Sequence, residues 1–400
     1  MKRAFLLFFI FLLLFSLPLL SYPGEKGFET AEICKKCHRV IYDQWKSSRH
    51  SNSFTGPNFE KVYRKTRSAS PDSAALCRFC HNPIATISKS YNKQGIAEEE
   101  GITCDFCHTV KEVTIGNDFP RFVNTPGTKR GPIADARSPY HETEFSPLLL
   151  DSKFCAGCHE FTNQNGVPIL TTYSEWEQSF YRGEGIHCQF CHLPQLFPGS
   201  DEEGPPDHTM QGGYYPEKIR EAITMSGTLR SRKNEAILEI ELINDRSGHK
   251  VPTGIPTHRL IVNARLNGDR GGVIGEKQVF IERVLGNREG KPISSAADMF
   301  LNASTVLKDN RIGPKEKRVL KLEFPLEKGS ETISAAVSLL YEIPSPDPVL
   351  KTVRVNIHDM TIHRSGMKFP FRALILGLIL ITACLLAYDI FVRLKIRRKE

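Results

Sequence analysis

The chain has 400 residues, 40% of them hydrophobic and 24% charged, which excludes a disordered protein and leaves room for one extended domain or two ordinary ones. Its formal charge of +8 would suit an anionic partner, but Arg393, Lys395, Arg397, Arg398 and Lys399 all crowd into the short tail 393–400. Eleven cysteines would be a disulfide framework in a secreted chain or a zinc centre in a cytosolic one, so their spacing decides.

Lys2 and Arg3 precede an apolar run over 5–20, the n-region and h-region of an export signal. The run is nearly all Leu and Phe with no polar face, which argues against a buried core helix. No clear A-x-A site follows, so 1–22 reads as either a signal peptide or an uncleaved N-terminal anchor. Both readings place the following residues outside the cytoplasm.

Ten of the eleven cysteines fall in five C-x-x-C-H motifs: Cys34-Lys35-Lys36-Cys37-His38, Cys77-Arg78-Phe79-Cys80-His81, Cys104-Asp105-Phe106-Cys107-His108, Cys155-Ala156-Gly157-Cys158-His159 and Cys188-Gln189-Phe190-Cys191-His192. Chance would supply about 0.01 such motifs from this composition, so five amount to an identification. Two thioethers fix the edge of a haem, and the histidine beside the second cysteine reaches its iron. The motifs therefore predict five covalently attached c-type haems, with His38, His81, His108, His159 and His192 as proximal iron ligands. A redox dithiol or half a zinc site would need no trailing histidine. Two propionates per haem add roughly ten negative charges, which makes the loaded protein far less basic than its sequence and argues against a nucleic-acid partner.

All five motifs lie between Cys34 and His192. That density requires porphyrin faces to replace much of the side-chain core and leaves regular secondary structure sparse. Gly and Pro punctuate 117–139 and 194–216, which read as loops. A partial repeat runs through the region. Tyr42-x-x-Trp45-x-x-Ser48 after the first motif parallels Tyr173-x-x-Trp176-x-x-Ser179 after the fourth, and Gly101-Ile102-Thr103 before the third parallels Gly185-Ile186-His187 before the fifth. Two related haem-pair modules follow, with the second motif inserted in the first.

The sixth ligand separates a wire from a catalyst, since a second strong ligand closes the iron to substrate. Eight histidines lie outside the motifs. His50, beyond the Tyr-Trp-Ser element, is the leading distal candidate, although its repeat equivalent is Tyr181. His141, in Ser138-Pro139-Tyr140-His141, and His208, in a polar Gly/Pro segment, belong to no apolar periodic face and read as ligands. His249 sits in Ser247-Gly248-His249-Lys250-Val251-Pro252-Thr253-Gly254, a sharp loop that could reach back to a haem. His187 and His258 compete for a fifth place, and Thr103 stands where His187 does in the repeat. His358 and His363 read as membrane-surface residues.

After residue 225 the pattern changes to period two. Ala236, Leu238, Ile240 and Leu242 alternate with Ile237, Glu239, Glu241 and Ile243, and Leu320, Leu322 and Phe324 with Lys321 and Glu323. Further strand-like runs cover 259–266, 277–285, 332–341 and 350–357, which predicts an antiparallel β-sandwich without haem attachment. The apolar run 373–392 has the length of a membrane span. Basic residues after it predict a cytoplasmic tail, and Cys384 reads as membrane packing.

The motifs and repeat elements resemble multihaem cytochromes related to cytochrome c554 and c-prime, the tetrahaem electron acceptor of hydroxylamine oxidoreductase. The carrying residues are Cys34 to His38 with Tyr42-x-x-Trp45-x-x-Ser48-x-His50, Gly101 to His108, and Tyr173-x-x-Trp176 leading into Gly185 to His192. The likeness spans roughly residues 30–215. It implies that His50 and His141 are axial ligands and that Gly248-His249-x-x-Pro252-Thr253-Gly254 is a loop found downstream of haems. A C-terminal span is not part of that family's soluble tetrahaem member.

The expected fold is a haem-packed, mostly α and irregular cytochrome domain, then an antiparallel β-sandwich and a C-terminal transmembrane helix. The expected order is 1–22 signal or anchor, 23–222 pentahaem domain, 223–362 sandwich, 363–372 juxtamembrane linker, 373–392 span and 393–400 cytoplasmic tail. The expected function is an electron relay anchored to the outer face of the cytoplasmic membrane, between a quinol-linked or periplasmic donor and another redox protein. Its partners would be redox proteins and the lipid bilayer, with donor, acceptor and oligomeric state left open. The alternative is an oxidoreductase of a small nitrogen or sulfur compound at one five-coordinate haem. No C-x-x-C-K motif occurs, which removes a lysine-ligated catalytic haem.

Overall fold

The computed structural model describes residues 27–88, 100–116, 121–195, 204–232, 234–268, 272–327, 334–345, 352–364 and Thr382. The expected export segment 1–22 and basic tail 393–400 lie outside the described residues.

Short helices and ribbons carry the motifs. Helices α1 (Ala31–Lys35), α2 (Arg39–Ser47), α3 (Pro57–Ala69), α4 (Pro71–His81), α5 (Pro83–Ile87) and α6 (Cys104–Thr109) come first. Two ribbons follow, antiparallel β1 (Val110–Thr114) with β2 (Arg121–Asn124) and parallel β3 (Thr128–Gly131) with β4 (Glu142–Phe145). Next are α7 (Lys153–His159), the hairpin β5 (Glu160–Thr162) and β6 (Pro168–Thr171), α8 (Thr172–Glu177), α9 (Phe180–Gly183) and α10 (Cys188–His192).

Local chemistry sets where these pieces begin. Pro71 opens α4 behind Ser70, whose hydroxyl accepts from Ser73 N at 3.2 Å, and Thr103 caps α6 by accepting from Phe106 N at 3.0 Å. The last four motifs lie on α4, α6, α7 and α10, and the first continues from α1 through a turn in which His38 N donates to Cys34 O at 2.9 Å. Spacings of three and four residues on a helical turn put both cysteines and the histidine of each motif on one face. Apolar packing between these helices is thin. Ile84, Phe106, Val110 and Val113 form one buried cluster, and Ala31, Tyr42 and Trp45 another.

Helix α11 (Pro216–Ala222) leads into eight strands: β7 (Ile223–Arg232), β8 (Glu235–Asn244), β9 (Arg259–Asn267), β10 (Val273–Gly286), β11 (Thr305–Asp309), β12 (Lys317–Pro325), β13 (Ser334–Ile343) and β14 (Val353–His363), with α12 (Ala296–Asn302) before β11. They form two antiparallel sheets, ordered β12-β8-β7 and β11-β10-β9-β13-β14. On β8, Ala236, Leu238, Ile240 and Leu242 are 0% exposed, the face that the alternation predicts. Leu260, Val262 and Ala264 of β9 and Val337 and Leu339 of β13 join them in one cluster of 22 buried residues spanning both sheets. Burying each large aliphatic side chain contributes roughly 1.5–3 kcal/mol. Two strands lie outside the runs expected from the sequence: β7, where Ile223, Met225, Gly227 and Leu229 alternate with Thr224, Ser226, Thr228 and Arg230, and the edge strand β11, every residue of which is exposed. His358 and His363 lie on β14 rather than before a span, and His358 Nε2 donates to Ile223 O at 2.6 Å.

The expected C-terminal transmembrane helix, and with it the single-pass anchoring to the cytoplasmic membrane, is corrected. Among the described residues no helix is long and apolar enough to cross a membrane. The longest, α3, has 13 residues, about 20 Å of helix against the ~30 Å of a hydrocarbon core, and it carries charges on every turn. The segment 373–392 lies outside the described residues apart from Thr382. The architecture described is a multihaem-type domain with two β sheets.

One junction between the two regions positions the site. The β5–β6 hairpin packs Phe161, Val167 and Ile169 against Leu285, Met299 and Ala303, and Asn163 Nδ2 donates to Ala303 O at 2.8 Å. The loop after β8 is tied down beside it: Asn244 Nδ2 donates to His249 O at 2.8 Å, and Val251 and Ile312 exchange backbone bonds at 2.9 and 3.1 Å.

Candidate functional site

Three of the motif histidines face a second imidazole. His108 meets His208 with ring centroids 6.5 Å apart, His159 meets His50 at 6.3 Å, and His192 meets His249 at 6.3 Å. A metal–imidazole bond is about 2.0 Å long, so two imidazoles sharing one metal have centroids roughly 6.3 Å apart. The pairs therefore fit an iron between them. The ring planes differ, nearly parallel for His192 and His249 at 12° and perpendicular for His159 and His50 at 89°. His50, His208 and His249 come from three separate loops, and His50, which follows the first motif, faces the histidine of the fourth.

Backbone carbonyls orient three of the motif histidines. Nδ1 of His81 donates to Ser53 O at 2.8 Å, that of His108 to Arg130 O at 2.6 Å, and that of His192 to Gln211 O at 2.6 Å. A carbonyl at Nδ1 holds the proton there and leaves the Nε2 lone pair for a metal. The loop histidines repeat this, with His208 Nδ1 donating to Pro206 O at 2.7 Å and His249 Nδ1 to Lys250 O at 3.0 Å. Burial, then the neighbouring His159, pushes His50 down to about 4. Burial likewise pushes His81 and His192 down to about 4 and lowers His108, His159, His208 and His249. These imidazoles stay neutral, the form that binds metal.

The motif cysteines are free thiols here, standing for the thioether sulfurs of a haem-loaded chain. They cluster across motifs. Cys34 is in side-chain contact with Cys104, Cys155 with Cys188 and Cys158 with Cys80, while Cys107 is close enough to Cys155 and Cys158 to act on both electrostatically. Attachment points thus run from the first motif to the third, fourth and fifth, with the second branching from the fourth.

The family model "Cytochrome c554 and c-prime" matches residues 33–109, which hold the first three motifs. A penta-heme cytochrome c552 from Thermochromatium tepidum superimposes with a TM-score of 0.69 at 22% identity, over 84% of this chain and 99% of that one. Over its first three motifs the chain is similar to cytochrome c554, and its fold is that of a multihaem c-type cytochrome. Covalently bound haem follows from that relation. Two further structures cover only part of the cytochrome: the structural-genomics target SoR45, with a TM-score of 0.18 at 10% identity over 36% of this chain and 87% of that one, and the C-terminal domain of Wzt, at 0.17 and 7% over 36% and 71%. A comparison with curated proteins gave no match.

All thirteen histidines of the cytochrome are described, so the remaining candidates can be placed. His141 Nδ1 lies 3.2 Å from Glu142 O, and its ring faces no second imidazole among the described residues. His187 Nδ1 accepts from Ser152 N at 3.1 Å, which puts the proton of the neutral ring on Nε2 and removes it as a ligand through that atom. It occupies the N-cap position of α10, as Thr103 does for α6. His258 is half-buried, with Nδ1 3.0 Å from the Tyr341 hydroxyl. Burial alone also pushes His258 down to about 4, so a depressed imidazole is not by itself a ligand. His38 is exposed. His81 stacks on Phe59 with centroids 3.8 Å apart and planes at 16°.

Several contributors carried no sequence signal. The carbonyls of Ser53, Arg130 and Gln211 act through the backbone, where any residue type would serve. Met210, in left-handed conformation at φ 49°, puts Sδ 2.6 Å from His50 Nδ1. Gly101 is needed because a Cβ there would lie 2.5 Å from His50 O, while its repeat partner Gly185 is needed for its φ of +68°.

Proposed function

We propose that the protein is an electron relay that carries five covalently attached haems outside the cytoplasm and passes electrons between redox protein partners. Bound haem supplies a one-electron iron couple. The chain supplies the order: its cysteines lie close together from motif to motif, and that contiguity carries the reading. His50, His208 and His249 close three irons with a second strong ligand, which favours electron transfer over substrate binding. Mass spectrometry of the mature chain with a potentiometric titration tests this. The expected result is a mass excess of five haems and five one-electron steps; three or fewer haems overturns it.

A second reading has one observation in its favour. Phe59, not an imidazole, lies against His81, which suits a five-coordinate haem acting on a small nitrogen or sulfur compound. Under this reading the protein as isolated shows a high-spin electron paramagnetic resonance signal, and turnover of such a compound scales with it.

A further inference from the structure

The two modules share more than their sequence match. Tyr42 and Trp45 pack with centroids 5.5 Å apart, Tyr173 and Trp176 at 5.6 Å. Trp45 Nε1 donates to Ile102 O at 2.7 Å, and Trp176 Nε1 to Ile186 O at 2.8 Å. Each of these isoleucines stands two residues before the first cysteine of its module's second motif. Each tryptophan therefore ties its helix to the segment that carries a motif histidine.

The residue before each tryptophan makes the opposite tie. Gln44 Oε1 accepts from His208 N at 3.1 Å, and His208 is the imidazole that faces His108. Glu175 Oε2 accepts from Lys250 N at 3.0 Å, and the preceding His249 is the imidazole that faces His192. The two loops share no origin: one follows the fifth motif, and the other comes from between two strands of the sandwich. Glu175 is further held by Arg311 Nη2 at 2.7 Å and by Thr171 Oγ1 at 2.6 Å. Its side chain is 7% exposed and that of Arg311 5%, so the pair is shielded from solvent screening.

We propose that Gln44 and Glu175 are positioning residues that hold the distal-ligand loops of the third and fifth motifs. One short helix then spans both sides of each iron site: tryptophan fixes the motif segment, and its neighbour fixes the opposing loop. The chemistry required at that position is a side-chain carbonyl or carboxylate oxygen long enough to reach a backbone N–H. Gln44 meets it without charge. Glu175 meets it with a charge and couples the loop to Arg311 of the sandwich, so the β region holds the fifth-motif site through an ion pair that the third-motif site lacks.

This inference rests on His208 and His249 being distal ligands, and the test separates the two claims. Carbon monoxide bound per fully reduced holoprotein is counted for wild type, His208→Gly, His249→Gly, Gln44→Ala and Glu175→Ala, all with wild-type haem content by mass. Each histidine variant is expected to add one binding site; if neither does, the ligand assignment itself fails. Each alanine variant is expected to add a site partially, with added imidazole restoring the low-spin spectrum. Alanine variants with the wild-type count, beside histidine variants that gain a site, overturn the positioning role alone. Glu175→Gln and Gln44→Glu keep the accepting oxygen and provide a readout if the alanine variants fail to mature. Both are expected to retain the wild-type count, with one midpoint potential raised in Glu175→Gln and one lowered in Gln44→Glu. Unmoved potentials in both overturn the proposal.

Discussion

The motif region and the sandwich solve the same problem with different materials. The sandwich buries 22 residues in one cluster across two sheets, while among the described residues the largest buried cluster wholly within the motif region has four members. The apolar surface that the motif region needs must come from bound porphyrin, whose faces are not encoded as side chains. Folding in one region is thus a property of the chain, and in the other it is coupled to haem attachment. That coupling also explains why the junction matters: a self-sufficient sandwich offers the loop of His249 a fixed platform, whereas His50 and His208 stand on segments that the haems help to order.

The sharpest way to break this comparison is to produce the chain without haem maturation. Amide hydrogen exchange is expected to show strong protection in 223–363 and almost none in 27–222. Comparable protection in both would mean that the motif region has a core of its own.

Next in size is Leu238→Ala, which removes a side chain 0% exposed at the centre of β8. A loss of roughly 2–5 kcal/mol is expected in denaturant unfolding followed by the β-sheet circular dichroism signal. The haem absorption spectrum before the transition should match wild type, because Leu238 packs among the strands. A spectrum altered under native conditions would show the regions to be less independent than the packing implies.

His50→Gly acts the other way, changing the iron environment while the sandwich is untouched. One additional carbon monoxide is expected per reduced holoprotein, with the sandwich unfolding midpoint unchanged. An unchanged gas count with full haem content would leave His50 without a ligand role.

The smallest effect is expected from Met210→Leu. A thioether is a weak acceptor for the His50 Nδ1 proton, and its loss leaves the imidazole slightly less electron-donating. A single midpoint potential should rise while the others hold, measured by potentiometric titration. Shifts spread over several centres would indicate that the loop 204–213 moves as a unit.

Read from sequence, the two regions were legible to different depths. The C-x-x-C-H spacing is a covalent rule, so the attachment and proximal residues it implies are read without reference to the fold. The alternation on β8, β12 and β13 follows from a strand's period of two against one buried face. β7 and β11 were missed because Gly227 interrupts the apolar face of one and the other is a short exposed edge. The span expected at 373–392 rested on hydropathy and on the basic residues after it, and finds no counterpart among the described helices.

By itself the sequence determined what is local: which cysteines and histidines form the five motifs, that two modules are related, and where most strands of the sandwich run. Tertiary structure decided what depends on distance. It set His208, His50 and His249 opposite His108, His159 and His192, left His141, His187 and His258 without such partners, and placed Gln44 and Glu175 against two unrelated loops. A thioether attachment is written within five consecutive residues. A distal ligand needs only an imidazole about 6 Å from another, and loops far apart in the chain satisfy that condition through folding alone.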